Sequence, residues 1–382
     1  MGVRQLMTGN EAIAEAAIRA GCRYYFGYPI TPQNELATYM AVELPKVGGT
    51  FIQAESEIAS INMVYGAAAA GVCPMTASSS PGISLMQEGI SYLAGAELPC
   101  VYANIARGGP GLANVAPAQS DYLQSVRGGG HGDYRVIVLA PNSVQEMADL
   151  TMMAFYLADR YRNPAMILAD GVLGLMMEPV EVKDPSLPPL PEKEWTVGHM
   201  KERGRKNLVT SLFLGEGKLE AHNRDLQAKY RQIETDEVRY EEVDTQDAEL
   251  VLVAYGTSAR VAQGAMEMAR SRGLKVGMLR PITLWPFPTK EIQKIGRRTG
   301  KILVVEMSMG QLVEDVRLAV GERCEVHLHA RCGGGIPTSR EVFVDMEHLL
   351  RHSSSRRGRV PSFSGLKVQR RTVGIGDSVQ KA

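Results

Sequence analysis

Cysteine is scarce and scattered in this sequence. Cys22, Cys73, Cys100, Cys324 and Cys332 are the only five in 382 residues, with no C-x-x-C pair and no close histidine to complete a metal site. That argues against an iron–sulfur cluster within the chain, which needs four thiolates at recognisable spacing, and fits reduced thiols in a cytosol. No stretch reaches the roughly 18 consecutive apolar residues that a membrane-spanning helix requires. The opening Met1-Gly2-Val3-Arg4-Gln5 lacks the apolar core of a signal peptide. Position 6, where a myristoylation motif carries Ser or Thr, is Leu6. A cytoplasmic protein is the expectation. Net charge is missing as well: Lys plus Arg and Asp plus Glu each count 42, so the overall balance calls for neither nucleic acid nor a membrane surface. No G-x-G-x-x-G opens a helix after a strand, which disfavours a nicotinamide-binding turn.

What is present is an ordinary globular composition, 45% apolar and 22% charged, in a chain long enough for two or three domains. Helical and strand patterns alternate. A helix over 10–21 carries Ala12, Ile13, Ala16 and Ala17 on one stripe and stops at Gly21. Strands follow over 23–28, 50–54, 73–78, 99–105, 136–140 and 165–169. Helices are expected after Pro32 and over 57–71, 82–94 and 143–160. The alternation predicts an α/β fold with a doubly wound parallel sheet. The long irregular segment 107–132 in such a domain reads as functional. Pro185, Pro188, Pro189 and Pro191 mark a linker, and 217–243 reads as a charged, exposed or partner-facing helix. A second α/β unit begins at Ala248. The expected division is a first domain over 1–184, a linker with its helix over 185–246, a second domain over 247–350 and a flexible basic tail over 351–382.

Four strand-to-helix turns carry chemistry-bearing residues. Glu55-Ser56-Glu57 places two carboxylates at a helix start, and spacing alone does not choose between them. Glu57 reads either as a dipole-stabilising first-turn acid or as a group that hydrogen-bonds a cofactor ring nitrogen. Thr31, in Gly27-Tyr28-Pro29-Ile30-Thr31-Pro32, reads as an N-cap for a helix starting at Pro32 or as a ligand contact. Ser78-Ser79-Ser80-Pro81-Gly82 reads as a helix cap or an anion nest. Arg107, at a strand end before glycines, is a rim charge or a carboxylate fork. His131 is a candidate acid–base group or a surface histidine. Turns at the carboxyl ends of parallel strands can converge on one cleft. One pattern is missing among them: no Gly-Asp-Gly is followed downstream by the Asn that holds a diphosphate through magnesium. Gly132-Asp133 and Asp170-Gly171 are fragments of it.

These turns, together with Gly333-Gly334-Gly335-Ile336-Pro337, resemble in order and spacing the alpha chain of 2-oxoacid:ferredoxin oxidoreductases, and most closely the branched-chain 2-oxoisovalerate (3-methyl-2-oxobutanoate) type. The resemblance covers residues 1 to about 350. It implies that the first domain binds the aminopyrimidine of thiamine diphosphate and that the second is transketolase C-terminal-like. Glu57 then matches the cofactor glutamate, with Pro29, Ser79 and Ser80 as further cofactor contacts. Thr31 and Arg107 match the residues that hold the 2-oxoacid. Coenzyme A is the implied acyl acceptor. A beta subunit is implied to supply the diphosphate and magnesium sites and a [4Fe-4S] cluster, with a gamma subunit, a ferredoxin-like delta subunit and ferredoxin completing the electron path. The 2-oxoglutarate enzyme of the same family is one alternative, and a non-catalytic scaffold of the same fold is another.

Overall fold

Strands buried on both faces read as unbroken apolar runs, and three of them form the middle of the larger sheet. Cys100–Ala106, Pro164–Asp170 and Met75–Ser78 are buried at every position. The computed structural model describes residues 4–183, 187–198 and 200–351. The basic tail expected over 351–382 lies outside them from residue 352 on. The larger sheet has seven strands, in the order Thr283–Trp285, Ile137–Leu139, Pro164–Asp170, Cys100–Ala106, Met75–Ser78, Tyr24–Gly27 and Thr50–Gln53. Every pairing is parallel except the first. Parallel pairing puts the ends of the strands that lead to Thr31, Glu57, Ser79 and Arg107 on one edge.

A second sheet of five strands runs in the order Glu325–Ala330, Lys301–Glu306, Leu250–Val253, Val276–Pro281 and Tyr240–Val243. Its last strand is antiparallel. Along Leu250–Val253 the period of two is visible in the packing. Leu250 and Leu252 face one apolar cluster, whereas Val251 and Val253 join the main core shared with the larger sheet. A short antiparallel pair, Gln5–Thr8 with Met177–Val180, lies apart.

The structure departs from the expected segmentation in three places. The helix read over 217–243 is Lys218–Asp236, and it buries Leu226, Tyr230 and Ile233 in the main core. Its other positions are largely charged, so three apolar side chains at spacings of four and three make a narrow stripe. Tyr240–Val243, read as the end of that helix, is an edge strand of the second sheet. Thr283–Trp285 leaves the second unit to pair with Ile137–Leu139 of the first. The irregular segment also holds a helix, Tyr122–Arg127, that its composition did not announce.

Side chains join the two units as firmly as strands do. Gln119, 3% exposed, donates to the carbonyl of Tyr255 (2.8 Å) and accepts from Ser258 Oγ (2.6 Å) and the Met307 amide (2.9 Å). Its own amide donates to the Met307 carbonyl at 2.9 Å. Asp170 caps helix Gly171–Leu175 and accepts from Thr257 Oγ1 across the boundary at 2.9 Å. Burial pushes its carboxyl above the usual range, against these hydrogen bonds. Arg280 of the second sheet grips both oxygens of Glu146 in helix Val144–Tyr161, at 2.7 and 2.9 Å.

If helix Lys218–Asp236 belongs to the core, Ile233→Ala costs about 2–5 kcal/mol in chemical denaturation, the range for a buried Ile truncation. Glu234→Ala on the exposed side should stay within about 0.5 kcal/mol. Equal effects at the two positions would refute this packing.

Candidate active site

Helix Glu57–Ala70 begins with Ser56 as N-cap, its hydroxyl accepting from the Ala59 amide at 3.2 Å. That start separates the two carboxylates. Glu55 is exposed, whereas Glu57 is 4% exposed and points to the end of the neighbouring strand Met75–Ser78. Among the described residues its one hydrogen bond is long, 3.4 Å from Ser78 Oγ. Space for the carboxylate comes from Gly82, in the first turn of helix Ser80–Gly95. A Cβ there would overlap Ser78 Oγ and Glu57 Oε1, and would stand 2.8 Å from Glu57 Cδ. The residue must be glycine for the carboxylate to lie where it does.

Arg107 follows strand Cys100–Ala106 and is 6% exposed. It has no carboxylate partner among the described residues. Its Nη1 donates to the Thr31 carbonyl at 2.9 Å and its Nη2 to the Leu112 carbonyl at 3.4 Å, while Nε is buried without a partner. A buried guanidinium held only by carbonyl oxygens has no carboxylate to neutralise it and keeps a free donor. It is poised for a small anion.

The three serines between these groups divide their work. Ser78 touches Glu57, as described. Ser80 Oγ accepts from the Arg107 amide at 3.0 Å and donates to Asp121 at 2.6 Å. Ser79 Oγ, between them, is buried with no partner. Buried hydroxyls are rarely left unpaired, so Ser79 is open to a ligand in a way that Ser80 is not. The expected role of Ser80 as a cofactor contact meets a hydroxyl already committed within the chain.

Two further readings change. Thr31 does not cap a helix at Pro32: the helix is Asn34–Glu43, its N-cap is Gln33, and Thr31 Oγ1 instead accepts from Asn34 Nδ2 at 3.3 Å. The Thr31 hydroxyl is exposed, and its carbonyl is the part that meets Arg107. Pro29 is exposed on the same turn. His131 is exposed, edge-on to Tyr92, with no contact to Glu57 or Arg107.

Asn104 and Asp121 were not singled out from sequence. Asn104 Nδ2 donates to Asp121 Oδ2 at 2.8 Å, and its Oδ1 accepts from the Ser80 amide at 3.1 Å. The available signal was Asn104 itself, a fully buried polar residue in an otherwise apolar strand. Burial pushes the Asp121 carboxyl up, against its two hydrogen bonds.

Cys22 and Cys100 are fully buried, and burial pushes both thiols up, Cys22 to about 12. Among the described residues no group of three or more His, Cys, Asp and Glu is placed to hold a metal, and no helix is long and apolar enough to cross a membrane.

Comparison with known proteins finds relatives over most of the chain. Residues 15–247 match the family described as "Pyruvate flavodoxin/ferredoxin oxidoreductase, thiamine diP-bdg", and residues 248–342 match "Pyruvate:ferredoxin oxidoreductase core domain II". The ketoisovalerate oxidoreductase subunit VorB of Methanothermobacter marburgensis is 53% identical over 350 residues, 92% of this chain and 99% of that relative. The 2-oxoglutarate synthase subunit KorA of Methanothermobacter thermautotrophicus is 39% identical, over 87% of this chain and 96% of that one. A solved structure of 2-oxoglutarate:ferredoxin oxidoreductase from Magnetococcus marinus superposes with a TM-score of 0.83 at 28% identity, covering 91% of this chain and 65% of that longer chain. A split-gene transketolase, at 14% identity and a TM-score of 0.56, shares the fold.

Gly82→Ala should destabilise the chain by about 1–3 kcal/mol through overpacking against Ser78 and Glu57, read as a lowered thermal midpoint. Adding Ser78→Ala removes the hydroxyl nearest the new methyl and should recover part of the loss. A double variant no better than the single one would show that the methyl does not meet Ser78.

Proposed function

The chain belongs to the 2-oxoacid:ferredoxin oxidoreductases as their alpha-type subunit, and on that premise we propose that it oxidatively decarboxylates a branched-chain 2-oxoacid, 2-oxoisovalerate, within a hetero-oligomer. Carbon dioxide leaves, the acyl group goes to coenzyme A, and the electrons pass to ferredoxin. The observation that carries this reading is the Ser78-Ser79-Ser80 turn. It sets a buried carboxylate on one side, a buried and unpaired guanidinium on the other, and an unpartnered hydroxyl between them.

The residues suit thiamine diphosphate. Glu57 has an oxygen free of any strong hydrogen bond and a wall of small residues beside it, so it would hold the ring-nitrogen proton of an aminopyrimidine. Ser79 Oγ is a second candidate contact. When bound, the cofactor supplies a carbanion at its thiazolium carbon and an electron sink after decarboxylation. Arg107 holds the substrate carboxylate until it is lost, and the Thr31 carbonyl keeps the guanidinium plane fixed. Burial of Arg107 lowers the local dielectric and strengthens its pull on an anion.

The diphosphate, its magnesium and the iron–sulfur cluster belong on this reading to a beta subunit. The sequence lacks the Gly-Asp-Gly…Asn pattern, and its five cysteines are scattered with no C-x-x-C pair. A gamma subunit and a ferredoxin-like delta subunit complete the assembly. Charge bears on which substrate fits. Arg107 and Arg280 are the buried cations among the described residues, and Arg280 is neutralised by Glu146 and Glu241. One free buried cation matches a monocarboxylate; the second carboxylate of 2-oxoglutarate would find no further unneutralised buried cation among the described residues.

In the assembled enzyme, Glu57→Gln should lower kcat by about a hundredfold or more, with the oligomer and its iron content unchanged. An unaltered rate would remove Glu57 from the chemistry. Among 2-oxoisovalerate, pyruvate and 2-oxoglutarate, kcat/KM should be highest for the first. A preference for 2-oxoglutarate would overturn the charge argument.

A further inference from the structure

We infer that Asp121 is a positioning residue for the substrate-binding arginine, acting through Ser80. The inference rests on the reading of Arg107 as the group that holds the substrate carboxylate. The connection is a chain of three hydrogen bonds: the Arg107 amide donates to Ser80 Oγ (3.0 Å), Ser80 Oγ donates to Asp121 Oδ2 (2.6 Å), and Asn104 Nδ2 donates to the same Oδ2 (2.8 Å). Asn104 closes a ring by accepting from the Ser80 amide at 3.1 Å. A serine hydroxyl has one proton. With Asp121 present it is committed to the carboxylate, which leaves the oxygen's lone pairs for the Arg107 amide. Without Asp121 the proton is free to turn to the Arg107 carbonyl, 3.2 Å away, and the hydroxyl loses its fixed orientation.

Asp121 has no cationic partner among the described residues, and its carboxylate is spent on two neutral donors that both touch the site. Its neighbours face the other way. The Ser120 carbonyl accepts from Gln311 (2.6 Å), the Leu123 amide donates to Gln311 (2.9 Å), and Tyr122 OH donates to Asp315 (2.6 Å), all in the second unit. Asp121 therefore stands on a segment anchored in the second unit and reaches back to fix a backbone in the first. The backbone position of Arg107 decides where its guanidinium lies, and displacement of a binding group by about 1 Å is enough to cost up to a hundredfold.

The test uses the assembled enzyme. Asp121→Ala should raise KM for the 2-oxoacid roughly tenfold to a hundredfold, with kcat within about twofold and thiamine diphosphate affinity unchanged. Asp121→Asn should stay near the parent, because both hydrogen bonds land on one oxygen and an amide oxygen can take its place. Should Asp121→Ala fail to assemble, Ser80→Ala cuts the same chain one link nearer Arg107 and should give the same rise in KM. Unchanged KM in Ser80→Ala, or an equal rise in Asp121→Asn and Asp121→Ala, would overturn the proposal. Arg107→Met separates the two levels: if it leaves KM unchanged the reading of Arg107 fails, and if it raises KM while Ser80→Ala does not, the positioning role alone fails.

Discussion

Gln119 satisfies backbone groups that two packed units would otherwise bury unpaired. The Met307 amide and carbonyl lie just past the end of a second-sheet strand, where no ladder continues to receive them, and the Tyr255 carbonyl, which already accepts from the Ala259 amide at 3.2 Å, takes the Gln119 side chain as a second donor. One primary amide, with its own backbone amide, meets all three and the Ser258 hydroxyl as well. An unpaired buried peptide group costs about 1–3 kcal/mol, so an amide of that length at this position adds to the shared core in holding the units together. The segment around it inherits the order. Arg107, Asp121 and Tyr122 hold their places because the chain between them is pinned at Gln119.

Buried charges elsewhere in the molecule show by contrast what is unusual about the site. Glu306 is fully buried and accepts from Ser308 Oγ and from the amides of Gln311, Leu312 and Val313, at 2.6 to 3.1 Å. Arg280 is ringed by two carboxylates. Both are saturated, as buried ions must be when stability alone is served. Glu57 has one long contact and Arg107 a buried donor with nothing to meet. Incomplete pairing of this kind is costly to bury.

The alternation of strands and helices was legible because fully buried parallel strands leave apolar runs that amphipathic helices interrupt. The shared position of the four turns was legible: Glu57, Thr31, Ser79 and Arg107 all fall on the sheet edge that parallel pairing predicts. Choosing Glu57 over Glu55 needed coordinates or the family resemblance, since residues two apart at a strand end share a face until a helix begins between them. Thr31 misled because a threonine before proline carries a capping signal, while the helix starts later, at Asn34. Helix Lys218–Asp236 misled because three buried positions among charged ones are too few to lift the local pattern. Asp121 was illegible for a different reason. Its partners Ser80 and Asn104 are brought near only by the sheet, and nothing local marks an acid whose role is to accept from distant neutral groups.

Thr283–Trp285 has a consequence in time rather than in space. Its place in the larger sheet is beside Ile137–Leu139, a strand made long before it during synthesis. Until the ribosome has released that later segment, the early sheet ends in an uncovered, fully apolar edge of Ile, Val and Leu. An open edge of this composition invites pairing with another chain. The nascent protein thus carries an open apolar border from the synthesis of Leu139 until Trp285 has emerged, and the residues that seal it arrive only with the second half of the message.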